Sequence, residues 1–136
     1  MQIDFKIPLK CVACPRPIVT RHGVYYPKNY VQFKKDCVAL LKNTGIAYSK
    51  DNFLHIDYTI VKKRIYQMSV KKYGKGRCFK PSRPDLDNYV KAINDCMQEA
   101  GVIEDDSQLV SFTAQKMYGA VQEEPVIEIS IRVIKQ

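Results

Sequence analysis

Two kinds of apolar periodicity alternate along the chain, and their order restricts the fold more than any other feature. Apolar residues at every second position predict strands at residues 2–9, 54–67, 108–118 and 125–134. Apolar residues at every third or fourth position predict helices at residues 28–43 and 85–100. The order strand, helix, strand, helix, strand, strand indicates an α+β domain with a small mixed or antiparallel sheet of about four strands and two main helices.

The length and composition fit one globular domain. A chain of 136 residues has room for one core, so we expect a single domain over residues 1–136. Hydrophobic residues make up 46% and charged residues 26%, which argues against a disordered or fibrous chain. No signal-peptide pattern opens the sequence, and no stretch approaches the roughly 18 apolar residues of a membrane span. We therefore expect a cytoplasmic protein without a membrane partner.

The five cysteines are an odd number spread over most of the chain, which fits reduced thiols better than a disulfide framework. Cys11 and Cys14 form a C-x-x-C pair near His22. A lone pair is a weak zinc pattern, and the prolines that follow it argue against a redox site. We interpret the cysteines as ordinary thiols, with metal or redox use as the alternative.

Charge is segregated along the chain, and this separation is more informative than the net charge of +8. Residues 61–84 contain nine basic residues and no acid, whereas residues 85–106 contain seven acids and one lysine. Solubility alone would be served better by mixed signs. A nuclease needs this juxtaposition, because cations bind the phosphate backbone while nearby carboxylates hold a divalent metal.

The basic stretch is predicted to be a mobile loop that binds DNA. Residues 71–84 lack periodicity and contain two glycines and two prolines, while Tyr73 and Phe79 could stack on exposed bases. The alternative is a solvated flexible loop without a ligand. The candidate DNA-binding residues are Lys71, Lys72, Lys75, Arg77, Lys80, Arg83, Arg16 in an exposed N-terminal loop, and Lys116.

The acidic stretch suggests a site for Mg²⁺. Asp85 is a suitable N-cap, and Asp87 falls in the first helical turn, where the helix dipole stabilises negative charge. Mg²⁺ characteristically takes one or two carboxylates and keeps several waters. Asp105 and Asp106 precede a strand, and in an extended chain at most one of them would reach a given metal. The alternative role of all these aspartates is capping and turn formation.

Residues 83–116, RPDLDNYVKAINDCMQEAGVIEDDSQLVSFTAQK, resemble the core motif of the RusA family of Holliday junction resolvases, a group common in phages and prophages. The shared pattern is D-x-D-N, a lysine four residues after the second aspartate, an aspartate four residues further, G-V-I-x-D-D-S-Q, and a lysine in the following strand. The N-terminal P-R-P and G-V-Y-Y-P segments resemble family members more loosely.

The resemblance implies roles for individual residues. Asp85, Asp87 and Asp106 correspond to the catalytic, metal-binding carboxylates, and Lys91 to the essential lysine. Asp105 corresponds to an adjacent acidic partner that is also a candidate metal ligand. It further implies a homodimeric endodeoxyribonuclease that uses Mg²⁺, with Mn²⁺ as a substitute, to nick four-way DNA junctions symmetrically in recombination and repair. Such a protein would be bacterial or phage-encoded and associated with the nucleoid through DNA.

The mechanism we expect is metal-assisted phosphodiester hydrolysis, with Lys91 facing the scissile phosphate. Without the resemblance, Lys91 would be interpreted as forming an i,i+4 ion pair with Asp87. Two other functions stay open: a nuclease for other branched or flap DNA, and a non-catalytic basic module that binds nucleic acid. Symmetric nicking gives the homodimer a physical rationale, because a twofold dimer supplies two related sites.

Overall fold

The computed structural model describes residues 2–135, so Met1 and Gln136 of the predicted domain lie outside the described residues. In chain order its elements are β1 (Gln2–Ile7), β2 (Ile18–Thr20), β3 (Gly23–Tyr25), α1 (Lys28–Asn43), β4 (Phe53–Lys62), α2 (Val70–Tyr73), β5 (Cys78–Phe79), α3 (Leu86–Ala100), a 3₁₀ turn (Asp106–Gln108), β6 (Leu109–Tyr118) and β7 (Val126–Ile134).

Five strands form a mixed sheet in the order β1-β7-β4-β6-β5, and β2 and β3 form a separate hairpin. Strands β4 and β6 are parallel, while the other neighbours are antiparallel. A parallel pair needs a long connection, and α3 lies within the segment that links β4 to β6. The predicted α+β class with a mixed sheet is confirmed, with five strands in the main sheet instead of about four.

One face of the sheet forms the core with the two long helices. The alternation in β4 buries Leu54, Ile56, Tyr58 and Ile60 on that face, and the last three of these lie opposite buried isoleucines of β7. The same hydrophobic cluster includes buried side chains of α1 and α3. Val31 of α1, although apolar, is 53% exposed. The core therefore fixes α3 on the sheet and positions its polar side.

Both long helices are confirmed, whereas several strand boundaries differ from the prediction. Helix α3 follows Asp85 and ends at Gly101, whose φ of 83° is the left-handed conformation that glycine adopts most easily. The first strand ends at Ile7, before the predicted residue 9, and the strand predicted at 54–67 spans Phe53–Lys62. Its predicted extension fails because the chain leaves the sheet, where Arg64 donates to the carbonyls of Gly76 and Gly119.

The segment predicted as a mobile loop, 71–84, contains regular structure. It includes most of α2 and all of β5, whose two residues pair with Tyr118 and Met117 of β6. That pairing joins residues about forty positions apart, so local periodicity could not reveal it. No helix within residues 2–135 is both long and apolar enough to span a bilayer.

Candidate active site

A cavity of about 250 Å³, which we call the acidic cavity for its three aspartates, lies between α3 and the start of β6. Four polar residues of its lining, which share one face of α3 at positions i, i+4, i+7 and i+8, are Asp87, Lys91, Asn94 and Asp95. The turn before β6 and the strand itself supply the remaining polar and aromatic side chains. The cavity is lined by Asp87, Val90, Lys91, Asn94, Asp95, Asp106 and Phe112.

The buried face of α3 holds this polar face in place. Tyr89, Ile93 and Met97 are at most 1% exposed and belong to the core. From β4, the Tyr58 hydroxyl donates a hydrogen bond to Asn94 Oδ1, which fixes the orientation of that amide. The Tyr58 ring also meets the Phe112 ring edge-on, with the centroids 6.0 Å apart. The cavity wall is thus tied to the sheet by both polar and aromatic contacts.

The turn before β6 separates the two adjacent aspartates. Asp105 caps the 3₁₀ turn by accepting from the Ser107 amide, in a capping box with Gln108. The buried Gln108 side chain accepts from the amides of Glu104 and Asp105, at 2.6 and 3.0 Å. Asp106 lines the cavity, whereas Asp105 does not. That at most one of these two aspartates reaches a given metal stays a prediction.

Negative charge accumulates around Asp106. Partial desolvation raises the pKa of the Asp106 carboxyl, and the charges of Asp95 and Asp105 raise it further. Asp85 occupies the N-cap position of α3 without a side-chain capping bond, and it is exposed outside the cavity lining. A cation bound among these carboxylates would relieve their mutual repulsion.

The donor chemistry of the cavity fits Mg²⁺. Carboxylates of Asp87, Asp95 and Asp106 and the amide of Asn94 offer the oxygen ligands that a hard cation prefers. Within residues 2–135, no three histidine, cysteine, aspartate or glutamate side chains are close enough together to hold a metal. Mg²⁺ characteristically takes one or two protein carboxylates and keeps several waters.

Lys91 lines the same cavity and is exposed. Among the ion pairs of the described residues, none joins Lys91 to Asp87, although their i,i+4 spacing permits one. The Lys91 ammonium is therefore available to a phosphate ligand.

Three of the predicted DNA-binding cations make hydrogen bonds within the fold, and their contact with DNA stays a prediction. Arg77 donates to Glu123 at 2.7 Å and to Glu128 at 2.6 Å. Lys80 is only 8% exposed and donates to the Arg83 carbonyl at 2.6 Å. The partners of Arg77 come from the β6–β7 connection and from β7, whereas those of Lys80 lie two and three residues further along the chain.

Lys116 is the third internal cation. Its ammonium donates to the carbonyls of Ser82 and Pro84, at 2.8 Å each. It therefore anchors the segment that leads into α3. By contrast, Lys71, Lys72, Lys75, Arg83 and Arg16 are exposed, so their side chains are accessible to a polyanion.

Sequence reasoning gave no role to Tyr58, Asn94 or Phe112. Asn94 lies three residues after Lys91 on one helical face, a spacing that could have identified it. Tyr58 and Phe112 carry no comparable sequence pattern, because each is read as one apolar position of an alternating strand. Only the pairing of Ile56 with Phe112 across the parallel strands brings Phe112 beside Tyr58.

The cysteines lie apart from this cavity, and all five are free thiols. Cys11 is fully buried, and burial raises the pKa of its thiol to about 12. A buried thiol with so high a pKa is a poor nucleophile and metal ligand. The structure thus favours the interpretation of Cys11 as a packing residue.

A protein-family model and a bacterial protein match parts of this chain. The model of the family described as Endodeoxyribonuclease RusA matches residues 8–132, which include both long helices and the whole acidic cavity. The protein of Bacillus subtilis (strain 168) named uncharacterized protein YqaN is 38% identical over 60 residues, 44% of this chain and 39% of that protein. The matched part thus spans less than half of this relative. The family match extends over nearly the whole chain, and the chain therefore belongs to the RusA endodeoxyribonuclease family.

Proposed function

We propose that this protein is a structure-selective endodeoxyribonuclease that resolves four-way DNA junctions by Mg²⁺-dependent phosphodiester hydrolysis. The observation that supports it is one cavity, in a chain of the RusA family, that combines three carboxylates with Lys91. Accessible cations outside the cavity offer contacts for the phosphate backbone. Recombination and repair inside a bacterial cell are the processes in which such an activity would serve.

Asp87 and Asp106 would hold Mg²⁺, with Asp95 beside them and Asp85 at the helix start. The bound ion would supply Lewis-acid stabilisation of the phosphate and an activated water, with Mn²⁺ as a substitute. Lys91 would offset the charge that develops on the scissile phosphate. Asp105, as the cap of the 3₁₀ turn, would position Asp106.

Replacement of one carboxylate tests the catalytic proposal. We expect Asp87→Asn to reduce Mg²⁺-dependent nicking of a synthetic four-way junction by roughly 10²-fold or more. Metal-free junction binding should persist, because a neutral side chain repels phosphate less than a carboxylate does. Asp36→Asn, an exposed change on α1, is the matched control and should leave both properties unchanged. Wild-type nicking by Asp87→Asn would contradict the assignment.

The choice of DNA substrate separates the three candidate functions. Nicking rates on a four-way junction, a flap and a linear duplex should be compared in Mg²⁺ and in Mn²⁺. We expect the junction to be cut fastest, at paired symmetric positions. Faster cutting of the flap would favour a nuclease for other branched DNA. A protein that binds junctions and cuts nothing in either metal would be the non-catalytic module.

Paired nicks also predict a homodimer, because one cavity per chain gives a twofold dimer two related sites. Sedimentation equilibrium of the free protein should give twice the chain mass of 15.7 kDa. A monomer that stays monomeric on the junction would contradict symmetric nicking by a dimer.

A further inference from the structure

Another cavity, of about 580 Å³, is lined in part by the segment that leads into α3. Its lining is strongly basic and, among the described residues that form it, contains no carboxylate. Arg83 and Pro84 contribute to this lining and directly precede Asp85. The five cations that line the cavity are Lys10, Lys62, Lys63, Lys80 and Arg83.

The central cations of this basic cavity are held by the fold. Lys62 lies at the end of β4, where its ammonium donates to the Cys11 carbonyl and lies 4.8 Å from the centre of the Tyr89 ring. Within the described chain this carbonyl is its one hydrogen-bond acceptor, and an ammonium has three protons to donate. Lys80 is buried and fully bonded, so it contributes a fixed charge.

The concentration of positive charge is unfavourable without an anion. Burial lowers the pKa of Lys62 to about 8, with further lowering by the charges of Lys10 and Lys80. Burial together with the charge of Lys116 likewise lowers the pKa of Lys80. An anion in the cavity would reverse this repulsion and would satisfy the remaining donors of Lys62.

We propose that the basic cavity binds a backbone phosphate of the DNA substrate, next to the segment that directly precedes Asp85. The shape and charge of the cavity support a phosphate ligand by themselves. The identity of that phosphate as part of DNA rests on the proposed nuclease function. The cavity thus acts as a positioning subsite that sets which phosphodiester reaches Asp87 and Lys91.

The phosphate ligand is tested first, without DNA or metal. Inorganic phosphate is titrated into the full chain while backbone amides are followed by NMR. We expect saturable shifts at Val12 and Ala13, which line the basic cavity. The shifts should disappear in Lys62→Met and weaken in Lys10→Met. Lys10 is exposed, so its replacement keeps the test valid if loss of the Lys62 bond disturbs folding.

The matched control is Lys42→Met, an exposed lysine thirteen positions along α1 from the cavity residue Asn29, a distance of about 20 Å. It should show wild-type phosphate shifts. The proposed phosphate site is overturned if the amides of Val12 and Ala13 do not shift in the wild type. It is also overturned if they shift as strongly in both Lys62→Met and Lys10→Met as in the wild type.

Junction binding without divalent metal then tests the DNA assignment. We expect Lys10→Met and Lys62→Met each to raise the Kd about 3- to 10-fold and to reduce the salt slope by about one, with no change in Lys42→Met. Unchanged binding in both variants overturns the DNA subsite even when the wild type nicks junctions. If the wild type never nicks a junction but both variants bind it more weakly, the proposed function is contradicted and the subsite is still supported.

Discussion

Arg77 forms ion pairs with two carboxylates that lie far from it in sequence, Glu123 before β7 and Glu128 within β7. Its hydrogen bonds lower the pKa of Glu123 to about 2 and also lower the pKa of Glu128. Removal of the guanidinium would leave two half-buried carboxylates next to each other. Arg77 is therefore a structural residue, although it lies in the most basic stretch of the chain.

We expect Arg77→Met to reduce the free energy of unfolding by about 2 kcal/mol at pH 7, because charge-assisted bonds are lost. Urea unfolding measures this value. Lys63→Met, which removes the exposed pair with Glu124, is the control and should cost less than about 0.5 kcal/mol. Equal losses in the two variants would place Arg77 among ordinary surface cations.

The same pair predicts a pH dependence. The folded-state pKa of Glu123 lies at about 2, below its ordinary value of 4.5. The pair therefore contributes fully above pH 4.5, and its contribution is lost as the pH falls toward 2. The stability difference between wild type and Arg77→Met should shrink over this range. A difference that is the same at pH 7 and pH 2.5 would contradict the assignment.

At the scale of elements, the end of α3 depends on a left-handed backbone conformation. Gly101 has a φ of 83°, and a Cβ built there meets no atom within 4 Å. Gly101→Ala should therefore lower the free energy of unfolding by about 1 kcal/mol, the cost of a left-handed alanine. Gly76→Ala also meets open space and does not need a positive φ. We expect the Gly76→Ala control to have an unchanged or slightly higher free energy of unfolding, as measured by thermal unfolding.

The helices could be predicted from sequence because their apolar stripes are long and each is bounded by turn residues. Asp87 and Lys91 of the candidate site could also be found from sequence, since they lie one turn apart on α3. What sequence could not show is the sheet order and everything that depends on it. The hydrogen bonds of Lys116 and the contact of Tyr58 with Phe112 arise from segments that are distant in sequence.

For the whole molecule, the accessible part of the basic stretch determines how binding responds to salt. Replacing Lys71, Lys72 and Lys75 together with alanine should weaken metal-free junction binding and reduce the slope of log Kd against log salt by about three. Fluorescence anisotropy over a salt series gives this slope. The charge-matched triple change of Lys42, Lys50 and Lys135 to alanine should change it by less than one. Equal slopes for the two triple variants would mean that only net charge matters.

The position of β7 has a consequence for biosynthesis. It is the last strand of the described fold, yet it lies between β1 and β4 in the sheet. A nascent chain on the ribosome therefore carries β1 without a partner, and β4 has one exposed edge until β7 emerges. We expect the core face that supports α3 to form only after β7 has left the ribosome, so that the candidate site is completed later than strands β4 and β6 are synthesised.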